Sequence, residues 1–303
     1  MQSALNAPHL CDEAAAFAYV EARLWPDGPA CPHCGTLGEA TRSKGKTTRA
    51  GLWNCRACRK PFTVRMGTIF ESSHVPMRVW LQAIYLICSS KKGISTRQIQ
   101  RTIGGSMKTA WFLMHRIREA MKDGSLGPIG GAGKTVEADE TFLAKSRKTR
   151  REFHEMPTKQ VLSLVERGGP IRSIMIDHRT VRSALYANLN MDSRLVTDGH
   201  VNYRKIMPMG RHESVDHSRR EWARGDVHTN TLEGFFSILK RGLVGVYQHV
   251  DAKHLGRYLA EFDFRQNTRA KMGINDAQRA DIALQGVVGK RLTYRTIGGE
   301  ATA

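Results

Sequence analysis

Apolar positions recur at helical spacing in the first third of the chain, at strand spacing in the middle, and at helical spacing again near the end. Residues up to about Pro26 read as a helix with Ala14, Phe17, Ala18 and Leu24 on its apolar face, stopped by Trp25-Pro26-Asp27-Gly28. From Pro76 to Met121 the pattern is helical throughout: Val79, Trp80, Ala83, Ile84 and Ile87 share a face, Ser95 stands as an N-cap, Gly104-Gly105 as a turn, and Trp111, Met114, His115 and Ile117 lie along the helix that follows. Beyond a glycine-rich linker, Asp123–Thr135, the period changes. Val136–Phe142 reads as a strand, Gln160–Glu166 and Ile171–Asp177 as a hairpin around Arg167-Gly168-Gly169-Pro170, Val181–Leu189 as a helix, and Arg194–Thr197 as a strand ending at Asp198. Three strands, a helix and a fourth strand predict an α/β sheet. In the stretch His228–Gly242, HTNTLEGFFSILKRG, Leu232, Phe236, Leu239 and the next residue, Leu243, make one face of a helix.

Charge changes this picture more than composition does. Hydrophobic residues make up 41% of the 303 residues, ordinary for a globular protein, whereas 47 Lys+Arg against 28 Asp+Glu leave a net charge of +19. A folded chain this basic is expected to meet a polyanion, nucleic acid before all others. A membrane is excluded as partner: the longest apolar candidate, near Val79–Cys88, is short and interrupted, and no basic amphipathic helix or lipidation signal is evident. The N-terminal MQSALNAPHLCDEAA has no basic leader ahead of an apolar run, so a cytoplasmic location and reduced cysteines are expected. Four of those cysteines, Cys31, Cys34, Cys55 and Cys58, are spaced C-x2-C-x20-C-x2-C, which aims two pairs of thiolates at one tetrahedral Zn2+. His33 lies inside the first pair as a competing ligand; Cys11 and Cys88 read as isolated or packed thiols.

The chemistry lies in the second half. Asp139 and Asp198 each sit on a strand, and Glu233 sits on the later helix with Lys240 seven residues on, almost two full turns, so an acid and a base share a face. Three separated carboxylates suit Mg2+ or Mn2+ held against phosphate, because hard oxygen ligands bind such ions together with water and phosphate oxygens. Two ions in such a site would activate a water or a DNA 3′-hydroxyl and stabilise the leaving oxygen. Glu137 and Glu140 flank Asp139 as auxiliary ligands, with strand alternation turning them away from it. The basic stretch Lys145–His154 reads as a loop beside the site that could grip phosphates. Asn-Thr-Leu-Glu, Asn230 to Glu233, also has the form of a capping box, with Asn230 as N-cap. Lys108 and Thr109, at the start of the helix after Gly104-Gly105, are placed to meet bases if the pair of helices is a helix-turn-helix. The linker ends in Gly133-Lys134-Thr135, but Pro128 stands where a phosphate-binding loop needs a glycine and a strand follows where a helix should, so it reads as a hinge.

VEADETF, TDGH, VDHS, HTNTLEGFFSILKRG and KHLGRYLAEFDFRQNTR together resemble the DDE transposases of bacterial insertion sequences, most closely the ISXO-type group. The resemblance runs from CPHCG to about Tyr294. It departs locally at Gly199, where an acid is common, at Phe236, where a tryptophan is, and at the LAKSRKTRR that follows the first acid. It implies a ribonuclease-H-like catalytic domain behind a zinc ribbon and a helix-turn-helix-like segment, with boundaries at 1–70, 71–127 and 128–303, the last including a C-terminal helical tail. It implies Asp139, Asp198 and Glu233 as the metal-binding triad, Lys240 as the accompanying base, and Asn230 as the alternative third ligand. It also implies two Mg2+ ions, one structural Zn2+, double-stranded DNA (element ends and target) as partner, and a homo-oligomer on that DNA. The expected activity is metal-dependent strand cleavage and strand transfer. A regulator that kept only DNA binding, or a nuclease that cuts without joining, is the alternative.

Overall fold

The structure, a computed structural model, describes residues 3–45, 47–143, 159–177, 180–200, 203, 206–207 and 210–293; the basic stretch Lys145–His154 lies outside them. The chain forms two compact units, residues 1–122 with 273–303, and residues 123–272. Among the described residues no helix is long and apolar enough to cross a membrane.

The first unit begins with α1 (Pro8–Cys11) and α2 (Glu13–Leu24), whose N-cap Asp12 accepts the Ala15 N–H at 2.7 Å. The buried face of α2 is Ala16, Phe17, Val20 and Glu21, while Ala14 and Ala18 are exposed, so the expected face is corrected. The alanine-rich sequence carries little direction of its own; Phe17 and Val20, which have more surface to hide, set the rotation. Three short strands follow, β1 (Ala40–Arg42), β2 (Trp53–Cys55) and β3 (Pro61–Phe62), paired antiparallel in that order. Then come α3 (Met77–Ser89), α4 (Thr96–Ile103) and α5 (Met107–Ala120). Ser95 and Ser106 cap α4 and α5, each accepting an N–H three residues on at 3.1 Å. Between them Gly104 and Gly105 take φ of 80° and 82°, a left-handed turn that side chains rarely adopt. Lys108 and Thr109 are exposed at the start of α5, whereas His115 is fully buried with its ring 4.1 Å from Trp111. The C-terminal helix Asp276–Gln285 belongs to this unit: Arg279 donates to the Cys88 carbonyl at 2.9 Å, and Asp281 receives Tyr19 and Arg23 at 2.5 and 2.6 Å.

The second unit is built on β4 (Thr135–Leu143), β5 (Lys159–Glu166), β6 (Ile171–Ile176), β7 (Arg194–Asp198) and β8 (His212–Val215), ordered β6-β5-β4-β7-β8. β5 pairs antiparallel with β4 and β6; β7 pairs parallel with β4 and β8. Helices cover both faces. One core gathers Val136, Ala138, Leu162 and Leu164 with Val181 and Leu185 of α6 (Val181–Asn188). The other gathers Val161, Val165 and Ile171 with Leu232, Phe236 and Leu239 of α7 (Asn230–Gly242) and Leu255 and Phe262 of α8 (Ala252–Asn267). β8 is a fifth strand that the sequence pattern does not reveal. Its four residues, HESV, bury only Val215, so no alternation is visible. The linker is not a free hinge throughout: Ile129 is buried and bridges Leu189, and at Gly130 a Cβ would lie 2.0 Å from the Ser193 hydroxyl.

Candidate active site and metal centre

β4 is the middle strand, and its two faces carry different chemistry. Residues 137 and 139 point towards α7, and residues 136 and 138 towards α6. In the parallel pairing of β4 with β7, Ala138 stands opposite Thr197. The next residues, Asp139 half-way along β4 and Asp198 at the end of β7, are therefore neighbours on one face. α7 crosses that face with Leu232, Phe235, Phe236 and Leu239 buried beneath it, which turns Glu233 and Lys240 outward. The Glu233 side chain keeps 48% of its exposure. Burial pushes the Asp139 carboxyl up to about 7; the Glu140 N–H, donating at 2.7 Å, opposes this, and the charges of Asp198, Glu140 and Glu233 reinforce it. Asp139 in this cluster thus holds its proton well above the ordinary carboxylate range, and a divalent cation among these oxygens would favour releasing it. Tyr203, fully buried, lies near the same acids, and burial followed by the charges of Glu140, Asp139 and Asp198 raises its phenol well above its usual range.

Glu137 corrects the sequence reading twice. It stands two residues before Asp139, so alternation puts it on the same face as Asp139; only Glu140 turns away, to a hydrogen bond with Gln160. Its carboxylate is fully buried and does another job. It accepts the N–H groups of Thr231 and Leu232 at 3.0 and 3.2 Å and the Thr231 hydroxyl at 2.9 Å, and it pairs with Arg167 Nε at 2.8 Å. Arg167 in turn donates to the carbonyls of Asp226 and His228 at 2.7 and 2.8 Å. The N-terminus of α7, where unpaired N–H groups and the helix dipole favour an anion, is therefore capped from the sheet. The N-cap residue itself is Thr229, with no side-chain cap bond, so the capping-box reading of Asn230 and Glu233 is overturned. Glu233 is left free for other work. Replacing Glu137 with alanine should cost about 3–5 kcal/mol, the usual toll for breaking a buried ion pair and stranding its partner. A thermal melt checks this, and a drop below about 1 kcal/mol, the scale of an exposed pair, would mean that Glu137 does not anchor α7.

The four cysteines belong to the first unit. Cys31 and Cys34 flank one turn, closed by Gly35 N–H to the Cys31 carbonyl at 2.9 Å, and Cys55 and Cys58 flank another, closed by Arg59 N–H to the Cys55 carbonyl at 3.0 Å. Gly35 and Arg59 both take positive φ, 76° and 61°, so the two turns repeat one geometry. All four Sγ atoms fall within 4.8 Å of one another, and the Cys31–Cys58 and Cys34–Cys55 separations are 3.6 Å. A tetrahedron with Zn–S bonds of about 2.3 Å has edges of about 3.8 Å, so the donor set fits zinc. His33 is turned to the Pro61 carbonyl at 3.3 Å and stands outside the cluster.

Residues 130–267 match the model of the ISXO2-like transposase domain, and residues 11–61 that of the transposase zinc-ribbon domain. An uncharacterized protein in transposable element ISH50 of Halobacterium salinarum is 27% identical over 275 residues, covering 82% of this chain and 89% of its own length. No solved structure matches the chain. In chain order, then, a transposase zinc-ribbon domain at residues 11–61 precedes an ISXO2-like transposase domain at residues 130–267.

Proposed function

We propose that this transposase binds the ends of its mobile element and catalyses metal-dependent cleavage and joining of DNA strands, on a ribonuclease-H-like domain. The observation that carries the reading is the register of β4 against β7, which sets Asp139 beside Asp198, with Glu233 close enough for its charge to act on Asp139. The fold assignment rests on the strand order 3-2-1-4-5 of the second unit, antiparallel on one side of β4 and parallel on the other, with helices on both faces. Asp139, Asp198 and Glu233 would hold two Mg2+ ions. Bound there, Mg2+ supplies positive charge that acidifies an attacking hydroxyl and stabilises the leaving oxygen. The chain's own side chains orient the rest. Lys240, on the exposed side of α7, is placed to take a DNA phosphate, and the Glu137–Arg167 pair keeps α7 seated so that Glu233 faces the aspartates. No covalent protein nucleophile is needed, because cleavage and joining are one in-line displacement with water or a 3′-hydroxyl as attacker. The exposed start of α5, Lys108 and Thr109, supports DNA contact by the first unit, and the net charge of +19 supports phosphate contact by the chain.

The test is Mg2+-dependent nicking and joining of duplexes carrying the element's terminal sequences. Cleaved and joined products are both expected with Mg2+ or Mn2+. Binding to the same duplex should weaken roughly a thousandfold or more between 50 and 200 mM salt, as counterion release predicts for several phosphate contacts. Cutting without joining would assign a nuclease, and binding without cutting a regulator.

A further inference from the structure

The loop after β8, residues 216–226, carries three arginines and a histidine in sequence around one large aromatic residue: Arg219, Arg220, Arg224 and His217 about Trp222. Of the five tryptophans, all among the described residues, Trp222 is the one left exposed, at 60%. An indole in water forgoes the stabilisation that burial would give it. The loop beneath it is pinned. Asp216 accepts the Ser218 N–H at 3.0 Å, and Glu221 donates its N–H to the Asp216 carbonyl at 3.1 Å while its carboxylate receives the Asp216 N–H at 3.2 Å. Arg224 ties the far side, reaching Glu221 at 3.3 Å and the Ser214 carbonyl at 3.2 Å. One side of the indole meets the His217 ring, 4.8 Å between centroids at 36°, and His217 Nε2 lies 3.8 Å from the Glu233 carboxylate. The aromatic platform therefore begins one side chain away from the acid cluster, and Arg219, three residues before Trp222 in sequence, has a side chain 85% exposed.

We propose that Trp222 is a nucleobase-stacking subsite that holds an unpaired base of the strand whose phosphate lies at Asp139, Asp198 and Glu233. The proposal rests on the strand-transfer reading above and adds the chemical class that the loop takes. A planar ring carried on a phosphodiester chain matches an indole flanked by arginines. A base inside a duplex has both faces covered, so the subsite selects a strand frayed or opened next to the reacting bond. Pinning the loop in advance lowers the ordering cost of stacking.

The experiment measures equilibrium binding of the full chain, without Mg2+ so that nothing is cut, to single-stranded dT12 and to an abasic phosphodiester chain of the same length. The wild type should bind dT12 about tenfold more tightly than the abasic chain, as one stacked base would give. Trp222→Ala should erase that preference and bind the abasic chain like the wild type, and Trp222→Phe should keep most of it. Tryptophan emission of the wild type should be quenched by dT12 and not by the abasic chain. A Trp222→Ala variant that still prefers dT12, or that loses both ligands equally, overturns the subsite. So does a change in sedimentation on Trp222→Ala, which would give the indole to a second copy of the chain. Because the readout needs no chemistry, a wild type that cuts DNA while Trp222→Ala keeps its preference sinks the subsite alone; one that prefers bases through Trp222 but never cuts sinks the strand-transfer reading alone.

Discussion

Glu233→Gln should leave the thermal melt unchanged and lower Mg2+-dependent strand cleavage and joining by about three orders of magnitude, the scale on which removing a group that stabilises transition-state charge is felt. The expectation that stability survives follows from where the side chain sits. Glu233 is half exposed on α7; the Thr229 hydroxyl donates to it at 3.5 Å, a bond that a glutamine oxygen also accepts, and the His217 ring lies 3.8 Å away. The helix start, which a glutamate at this position could otherwise support, is held by Glu137 from β4. The loss of activity follows from the ligand chemistry: a neutral amide binds Mg2+ far more weakly than a carboxylate. Asn230→Ala is the companion variant. Asn230 is exposed and is the first residue of α7 rather than its N-cap, so alanine should change stability by less than the roughly 1 kcal/mol that a lost N-cap costs. An active Glu233→Gln together with an inactive Asn230→Ala would move the third ligand to Asn230.

That pair of variants also shows what could be read from sequence and what could not. Four of the five strands of the second unit, and the helices α6 and α7, were legible within a residue or two, because their apolar runs are bounded by turn residues: Val136–Phe142 against the observed Thr135–Leu143, and Val181–Leu189 against Val181–Asn188. The two zinc-binding turns were legible because thiol spacing is itself geometry. β8 was not, since a short edge strand with one buried residue carries no period. Nor was the job of Glu137. Asn-Thr-Leu-Glu has every local mark of a capping box, and a local pattern cannot show that a carboxylate nearly a hundred residues earlier holds the N–H groups of Thr231 and Leu232 between them. The parity of the strand was the available signal, since residues 137 and 139 must share a face. Trp222 gave no sequence signal at all. Its neighbours set no period, and only the fold brings His217 and Glu233 together beside it.

Removing the zinc should have the larger structural effect. A double variant Cys31→Ser, Cys34→Ser, or chelation of the wild type, should release one equivalent of zinc and unfold the segment from about Trp25 to Met66. The reason is how little else holds that segment. Its strands are three, three and two residues long, and the cluster around the thiols buries Cys31, Cys55 and Phe62, with Trp25, Ala40, Trp53 and Met66 only partly covered. A core this small supplies little stability of its own, whereas zinc on four thiolates contributes about 10–16 kcal/mol in comparable small modules. Two tryptophans report the change. Trp25 packs edge-on against Phe62 at 5.7 Å, and Trp53 donates its indole N–H to Glu21 at 2.9 Å. Both should move into water on metal loss, shifting emission to the red, while far-UV ellipticity changes little because the segment between those tryptophans contains almost no helix. Restoring Zn2+ should reverse the shift in the wild type and not in the double variant. Unchanged tryptophan emission and protease resistance in the metal-free wild type would mean that the strands hold without the ion, and that the four cysteines meet for some other reason.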